Sequence, residues 1–257
     1  MTFRFATWNV WNLNGDWRNR FNMIQRWLEN EGADVVCLQE ISIDGVTGQP
    51  QSAVLAAGSA WTQYYSRSGE WEGREEGLAL LSRWKVSFQE RWWLPEAARD
   101  MPRQLCASVI DLQGHRVLVA NTHLAFRLEA ESERVEQATA AIRYLEDYAD
   151  VLKPDAIIVA GDFNAVPASP TIAAVLGSGL SLHDVFQGSP ERLDTFTFSE
   201  HNPLVNPALG PNRWIDYVFV SRSVKITHRA LLGGNEKSAA LCPSDHFGLL
   251  VEVDVSP

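Results

Sequence analysis

Apolar runs of strand length recur along the chain and predict β-strands at 3–10 (FRFATWNV), 33–40 (ADVVCLQE), 77–83 (GLALLSR) and 104–112 (QLCASVIDL). Further strands are predicted at 116–124 (RVLVANTHL), 155–163 (DAIIVAGDF), 214–220 (WIDYVFV) and 247–255 (FGLLVEVDV). Helical spacing appears between some of them. Phe21, Ile24 and Leu28 lie on one face of a helix from 17 to 30 that stops near Gly32. Val135, Ala138, Ile142, Leu145 and Ala149 mark a second helix over 129–152, closed ahead of Pro154. Ser169 caps a third, with Pro170 in its first turn and Gly177 at its end. Many strands with interspersed helices and short connections predict an α+β arrangement, two sheets face to face with helices outside.

The polar residues fall at the ends of these strands. Asn9, Glu40, His123, Asp162 and Asn164 close apolar runs, whereas Asp216 and the pair Asp245–His246 open them. If the last two strands run against the earlier ones, all eight side chains meet at one edge of the sandwich. Taken singly, each is an ordinary turn residue or a satisfied core histidine. Gly161, just ahead of Asp162, predicts a turn or a close backbone approach.

Composition narrows the class. The chain has 257 residues, 46% hydrophobic and 21% charged, as in a soluble globular protein, and without a linker it is expected to form a single domain over 1–257. No basic start with an apolar core marks a signal peptide, and no run reaches the roughly 18 apolar residues of a membrane span. Three widely spaced cysteines suit reduced thiols in a cytoplasmic protein rather than a disulfide frame. A monomer is expected. With 22 basic against 32 acidic residues the formal charge is −10, which excludes a surface that coats nucleic acid or anionic membrane by charge alone.

Convergence would bring the carboxylates of Glu40, Asp162, Asp216 and Asp245 together. Two unit charges ~5 Å apart repel by roughly 3 kcal/mol at an effective dielectric of about 20. Such a nest calls for a cation or a proton, and its oxygen ligands suit Mg²⁺, with Mn²⁺ as substitute. A hard cation beside histidines and a carboxylate base is equipment for phosphoester hydrolysis by activated water.

TWNVWNLNG (7–15), CLQE (37–40), NTHL (121–124), GDFN (161–164), IDYVFV (215–220) and SDH (244–246) together resemble, in order, the motifs of the endonuclease/exonuclease/phosphatase superfamily. The resemblance implies a four-layer αββα sandwich of two mixed, largely antiparallel sheets, with the site at one sheet edge. It implies that Glu40 holds the metal, with Asn9 beside it and Asp245 near it or at a second metal position. Asp162 would orient the attacking water, and Asn164 would donate to the phosphate or nucleophile. His246, paired with Asp216, would face the scissile phosphate, with His123 as a second phosphate contact. Arg103 is a candidate substrate contact. Family members often carry a basic residue directly before Ile-Asp-Tyr. Here Trp214 holds that place and Arg213 is displaced by one, so both are candidate substrate contacts.

The substrate is less legible. Trp61, Tyr64, Tyr65, Trp71, Trp84, Trp92 and Trp93 alternate with Arg67, Arg74, Arg83, Arg91 and Arg99, either along a base-stacking groove or as ordinary packing. A Pro- and Asn-rich loop within 194–220 precedes Asp216, where loops commonly set specificity. The expectation is a nuclease-like phosphodiesterase, with nucleic acid as a candidate partner. A sphingomyelinase-like or phosphomonoester hydrolase is the alternative, and a non-catalytic binding module on the same fold the remote one.

Overall fold

In a computed structural model of the protein, which describes residues 1–71, 73–206, 210, 212–233 and 242–255, the apolar runs become strands of two sheets. The elements are β1 (Thr2–Asn9), α1 (Trp17–Asn30), β2 (Val35–Ser42), α2 (Gln51–Ala56), β3 (Thr62–Trp71), β4 (Arg74–Ser82) and β5 (Val86–Trp93). There follow β6 (Gln104–Leu112), β7 (His115–His123), α3 (Glu131–Leu152), β8 (Ala156–Asp162), α4 (Pro170–Leu176) and β9 (Leu182–Asp184). The chain continues through α5 (Pro190–Asp194), β10 (Asp216–Ser221), β11 (Lys225–Leu232) and β12 (Gly248–Asp254). One sheet has the order β11-β12-β1-β2-β4-β3 and the other β5-β6-β7-β8-β10-β9.

Alternation along each strand divides the core into layers. On β1, Phe3 and Phe5 enter the layer between the sheets, while Ala6 and Trp8 face Phe21, Ile24 and Leu28 of α1. The second sheet buries its outer face under α3 and α4, where Ala138, Ile142, Leu145, Ile172 and Val175 join the core. The result is the αββα sandwich. Each fully buried residue of this kind contributes about 1.5–3 kcal/mol, so the two helix–sheet layers and the central layer all stabilise it. The Ser169 cap falls where the sequence places it, and the structure adds one at Asp16. The Asp16 and Ser169 side chains accept from the N–H groups of Asn19 and Ile172 at the starts of α1 and α4. Gly32 (φ 64°) follows α1, and Lys153 (φ 49°) ends α3 ahead of Pro154.

Strand direction decides where the polar ends gather. β1 runs parallel to β2, and β7 parallel to β8, whereas β12 lies antiparallel to β1 and β10 antiparallel to β8. The ends of the early strands therefore share a rim with the starts of the late ones, and the condition set by the sequence is met. Gly161 stands where β8 passes close to β7: its φ is 141°, and a Cβ there would lie 2.0 Å from the Thr122 carbonyl oxygen. That close approach requires glycine.

Several strands lie outside the sequence expectation. β3, β5 and β11 are sheet edges whose exposed faces carry polar residues, so no continuous apolar run marks them. The aromatic segment mostly packs. Trp84 meets Phe3 edge-on at 5.6 Å, Trp92 stacks on Tyr144 at 5.5 Å, and Trp61 joins the α1-side core. Trp71 and Arg74, by contrast, line the cleft at the rim. Part of the loop within 194–220 (207–209 and 211) lies outside the described residues.

Candidate active site

Three neighbouring strands of the second sheet deliver one row of side chains. His123 on β7 and Asp216 on β10 both stand in register with Asp162 at the end of β8. Cross-strand neighbours face the same side of a sheet, so the three meet without further construction. The first sheet supplies Asn9 from the end of β1 and Glu40 from β2, and the turn before β12 adds Asp245 and His246. Of these, Glu40, His123, Asp162, Asp245 and His246 line, with Asn164, a cleft of about 400 Å³, whereas Asn9 and Asp216 do not line it.

Asp162 is the hub. Its Oδ2 lies 3.1 Å from Asn9 Nδ2, 3.5 Å from His123 Nε2 and 3.8 Å from His246 Nε2. Its Oδ1 accepts the backbone N–H of Asn164 at 2.9 Å, an Asx turn that helps hold Asn164 at φ 50°. The Asn9 amide also donates to Glu40 Oε1 at 3.0 Å, while its oxygen accepts the Trp11 N–H at 3.1 Å. Asn9 thus bridges the two carboxylates as a donor, with its own oxygen already engaged.

The two histidines differ in charge. The Nδ1 of His246 lies 2.9 Å from Asp216 Oδ2. Burial works against the imidazolium, but the Asp216 charge and hydrogen bond, with Asp162 and Asp245, outweigh it and push His246 up to about 10. Burial, the Arg103 charge and His246 push His123 down to about 3 despite Asp162. The carboxyls tell a consistent story. Burial first, then the charges of Glu76 and Asp245, push Glu40 up to about 8. Asp245 and Glu76 are also raised, chiefly by burial. Carboxyls so strained against ionisation, all with oxygen donors, fit a hard divalent cation, as the sequence chemistry anticipates.

The structure adds residues that the sequence reading passed over. Glu76 on β4 is buried, with Oε1 3.8 Å from His123 Nδ1. It stands one position before the predicted strand start, at 77. Arg20 is buried on α1, and its guanidinium donates to the carbonyls of Val10, Trp11, Asn12, Asn14 and Pro243 at 2.8–3.1 Å. It ties the loop after Asn9 to the turn that carries Asp245 and His246. A signal existed: Arg20 precedes Ile24 by one helical turn and so lies on the apolar face.

Of the candidate substrate contacts, Arg103 and Arg213 line the cleft. Arg103 is 4% exposed and pairs with Asp100 at 2.7 Å. Trp214 does not reach the cleft. It is 3% exposed and packs at 5.3 Å against Phe186, with the Arg192 guanidinium over its ring. Successive residues of an extended segment point to opposite sides, so the one-residue displacement sends Trp214 into the core and Arg213 to the cleft.

The family model described as Endonuclease/Exonuclease/phosphatase family matches residues 6–246. Tyrosyl-DNA phosphodiesterase 2 of Bos taurus is 24% identical over 267 residues, covering 98% of this chain and 68% of that protein. The 2',5'-phosphodiesterase 12 of Rattus norvegicus is 25% identical over 285 residues, and the match covers 91% of this chain and 45% of that one. The crystal structure of TDP2 from Caenorhabditis elegans superposes with a TM-score of 0.81 at 20% identity, over 98% of this chain and 74% of that one. A TDP2 from D. rerio complexed with single strand DNA product gives 0.80 at 20% identity, covering 98% and 99%. Fold, rim and motif order agree, and the chain belongs to the Endonuclease/Exonuclease/phosphatase family of phosphoester hydrolases.

Proposed function

We propose that the protein is a nuclease-like phosphodiesterase that requires a divalent cation, Mg²⁺ or Mn²⁺, and acts as a monomer in the cytoplasm. The observation that carries this reading is one carboxylate, Asp162, set between a cationic His246 and a neutral His123, with Glu40 bridged to it by Asn9. Glu40 and Asp245 would hold the cation, which when bound polarises the phosphoryl oxygen and neutralises developing charge. Asp162 orients the attacking water and takes up its proton. His246, held by Asp216, places a positive charge against the phosphoryl oxygens as negative charge grows on them. His123, Asn164 and Arg103 add hydrogen bonds at the phosphate.

The DNA-linked names of relatives support a nucleic-acid substrate, and the charge of −10 favours a short engagement over a long duplex track. Trp71 and Arg74 at the cleft edge suit one stacked base and one flanking phosphate. The test is hydrolysis of bis-(p-nitrophenyl) phosphate with Mg²⁺, followed by a panel of single-stranded DNA, abasic duplex, RNA, sphingomyelin micelles and inositol phosphates. The reading predicts diester cleavage abolished by chelator, with single strands preferred to long duplex. Full activity in excess chelator removes the metal role, and exclusive cleavage of a lipid or monoester removes the substrate reading.

A further inference from the structure

Glu40 reaches the cleft because β2 is irregular at that point. Val36 and Leu38 belong to the core beside α1, and Val35 and Cys37 to the layer between the sheets. Unbroken alternation would send Gln39 between the sheets and Glu40 into the apolar layer under α1. Pairing with β4 instead jumps from Leu38↔Ala79 to Ile41↔Gly77, so Gln39 and Glu40 together oppose Leu78. This is a β-bulge. Ile41 returns to the core beside α1, and Glu40, at φ 57°, turns into the cleft. A left-handed backbone is unfavourable for glutamate, so the surroundings must hold it there.

The holding groups come partly from the other sheet. Asn121 on β7 donates from Nδ2 to the carbonyls of Leu38 (3.0 Å) and Ala79 (3.1 Å), the last regular pair before the bulge. The Gln39 amide donates to Asn121 Oδ1 (2.7 Å) and to Thr7 Oγ1 of β1 (3.0 Å). All three side chains are buried, Gln39 completely, in a layer that is otherwise largely apolar. Asn121 precedes His123 by two residues on the same strand. The two amides therefore tie the backbone that aims Glu40 to the strand that carries His123.

We propose that Gln39 and Asn121 form a clamp between the sheets that sets the Glu40 bulge and so positions its carboxylate relative to Asp162 and His123. They are positioning residues, since neither lines the cleft. This inference rests on the reading of Glu40 as a cation-holding carboxylate, and its test separates the two. Asn121→Ala and Asn121→Asp remove the paired donations, and Gln39→Leu and Thr7→Val remove the bonds behind them. Trp61→Phe is the control, because it deletes the buried bond from the Trp61 indole N–H to the Ala33 carbonyl (3.0 Å), away from the cleft. Mn²⁺ binding is measured by calorimetry on the full chain without substrate, below the melting range of every variant. Amide hydrogen exchange is followed over 35–42.

The expected result is that the Asn121 variants weaken Mn²⁺ binding by about 10–100-fold, the usual effect of removing a group that orients a ligand. Exchange at 35–42 should also accelerate. Trp61→Phe should lower the melting temperature and keep both readouts at wild-type values. Wild-type Mn²⁺ affinity and wild-type protection at 35–42 in Asn121→Ala would overturn the clamp, whatever its melting temperature. If the Asn121 variants do not fold, the same criterion applies to Gln39→Leu and to Thr7→Val, a change of nearly equal shape. If the wild-type protein binds no Mn²⁺, the reading of Glu40 fails, and exchange alone decides the clamp.

Discussion

On either side of Asp162 stands a buried histidine at the same sheet edge, one cationic and the other neutral at neutral pH. Toward β10 and β12, His246 meets Asp216 at 2.9 Å and has Asp245 beside it, and it is pushed up to about 10. Toward β7, His123 has Arg103 nearby and the carboxylates of Asp162 and Glu76 only at 3.5 and 3.8 Å, and it is pushed down to about 3. Burial disfavours the cation in both, so neighbouring charges decide. The difference divides the work at neutral pH. In the proposed mechanism one imidazole would be a fixed cation beside the reacting phosphate, and the other a neutral hydrogen-bonding group that adds no repulsion against Arg103.

The largest effects should follow from removing the hub or the cation. Asp162→Asn and His246→Ala are each expected to lower kcat by at least about a hundredfold, the scale of base and charge-stabilising contributions. Steady-state rates on a soluble diester check this. Asp216→Asn should cost less, about tenfold, because it acts through His246. Its distinguishing mark is the pH profile, whose alkaline limb should move to lower pH. In the double variant Asp216→Asn/His246→Ala the losses should not multiply, and a full product of the single effects would refute the pairing.

The His123 side should respond more weakly. His123→Gln replaces a neutral hydrogen-bonding group with another, and a loss of about 2–10-fold is expected from one imperfect bond. A separate effect is on stability in chelator. Because the folded value of His246 lies above its ordinary 6.5, its contribution is complete below that pH and is lost as pH rises through about 10. His123 is the reverse: its folded value is depressed, so its contribution is present above 6.5 and is lost as pH falls toward about 3. Melting curves across pH should show His246→Gln flattening the alkaline decline and His123→Gln flattening the acid one.

The same neighbours explain how much of this was legible in the sequence. Strands buried on both faces, such as β8 and β12, advertise themselves as apolar runs, and the rim residues follow from where those runs stop. Edge strands do not. In β5 (VSFQERWW) most residues are exposed, so no pattern separates it from a loop. Glu76 escaped notice because an acidic pair precedes Gly77, and a buried carboxyl in β4 looks like a solvated turn until His123 is placed beside it. Arg20 escaped notice because its partners are backbone carbonyls, which leave no mark on composition. Of the two candidate contacts before Ile215, strand parity keeps Arg213 at the cleft and sends Trp214 into the core. The charge difference between the histidines was half legible. The Asp216 partner of His246 comes with the family resemblance, but the Arg103 charge near His123 depends on β6 and β7 being adjacent.

The direct test of this division is a nitrogen-15 NMR titration of the imidazoles of His123 and His246 from pH 5 to 10, in chelator, assigned with the His123→Gln and His246→Gln variants. The account predicts that His246 remains protonated on both nitrogens through neutral pH and begins to lose its proton only toward pH 10. It predicts that His123 shows the signature of a neutral ring throughout. Titration of both rings near pH 6.5, or the reverse assignment, would contradict it.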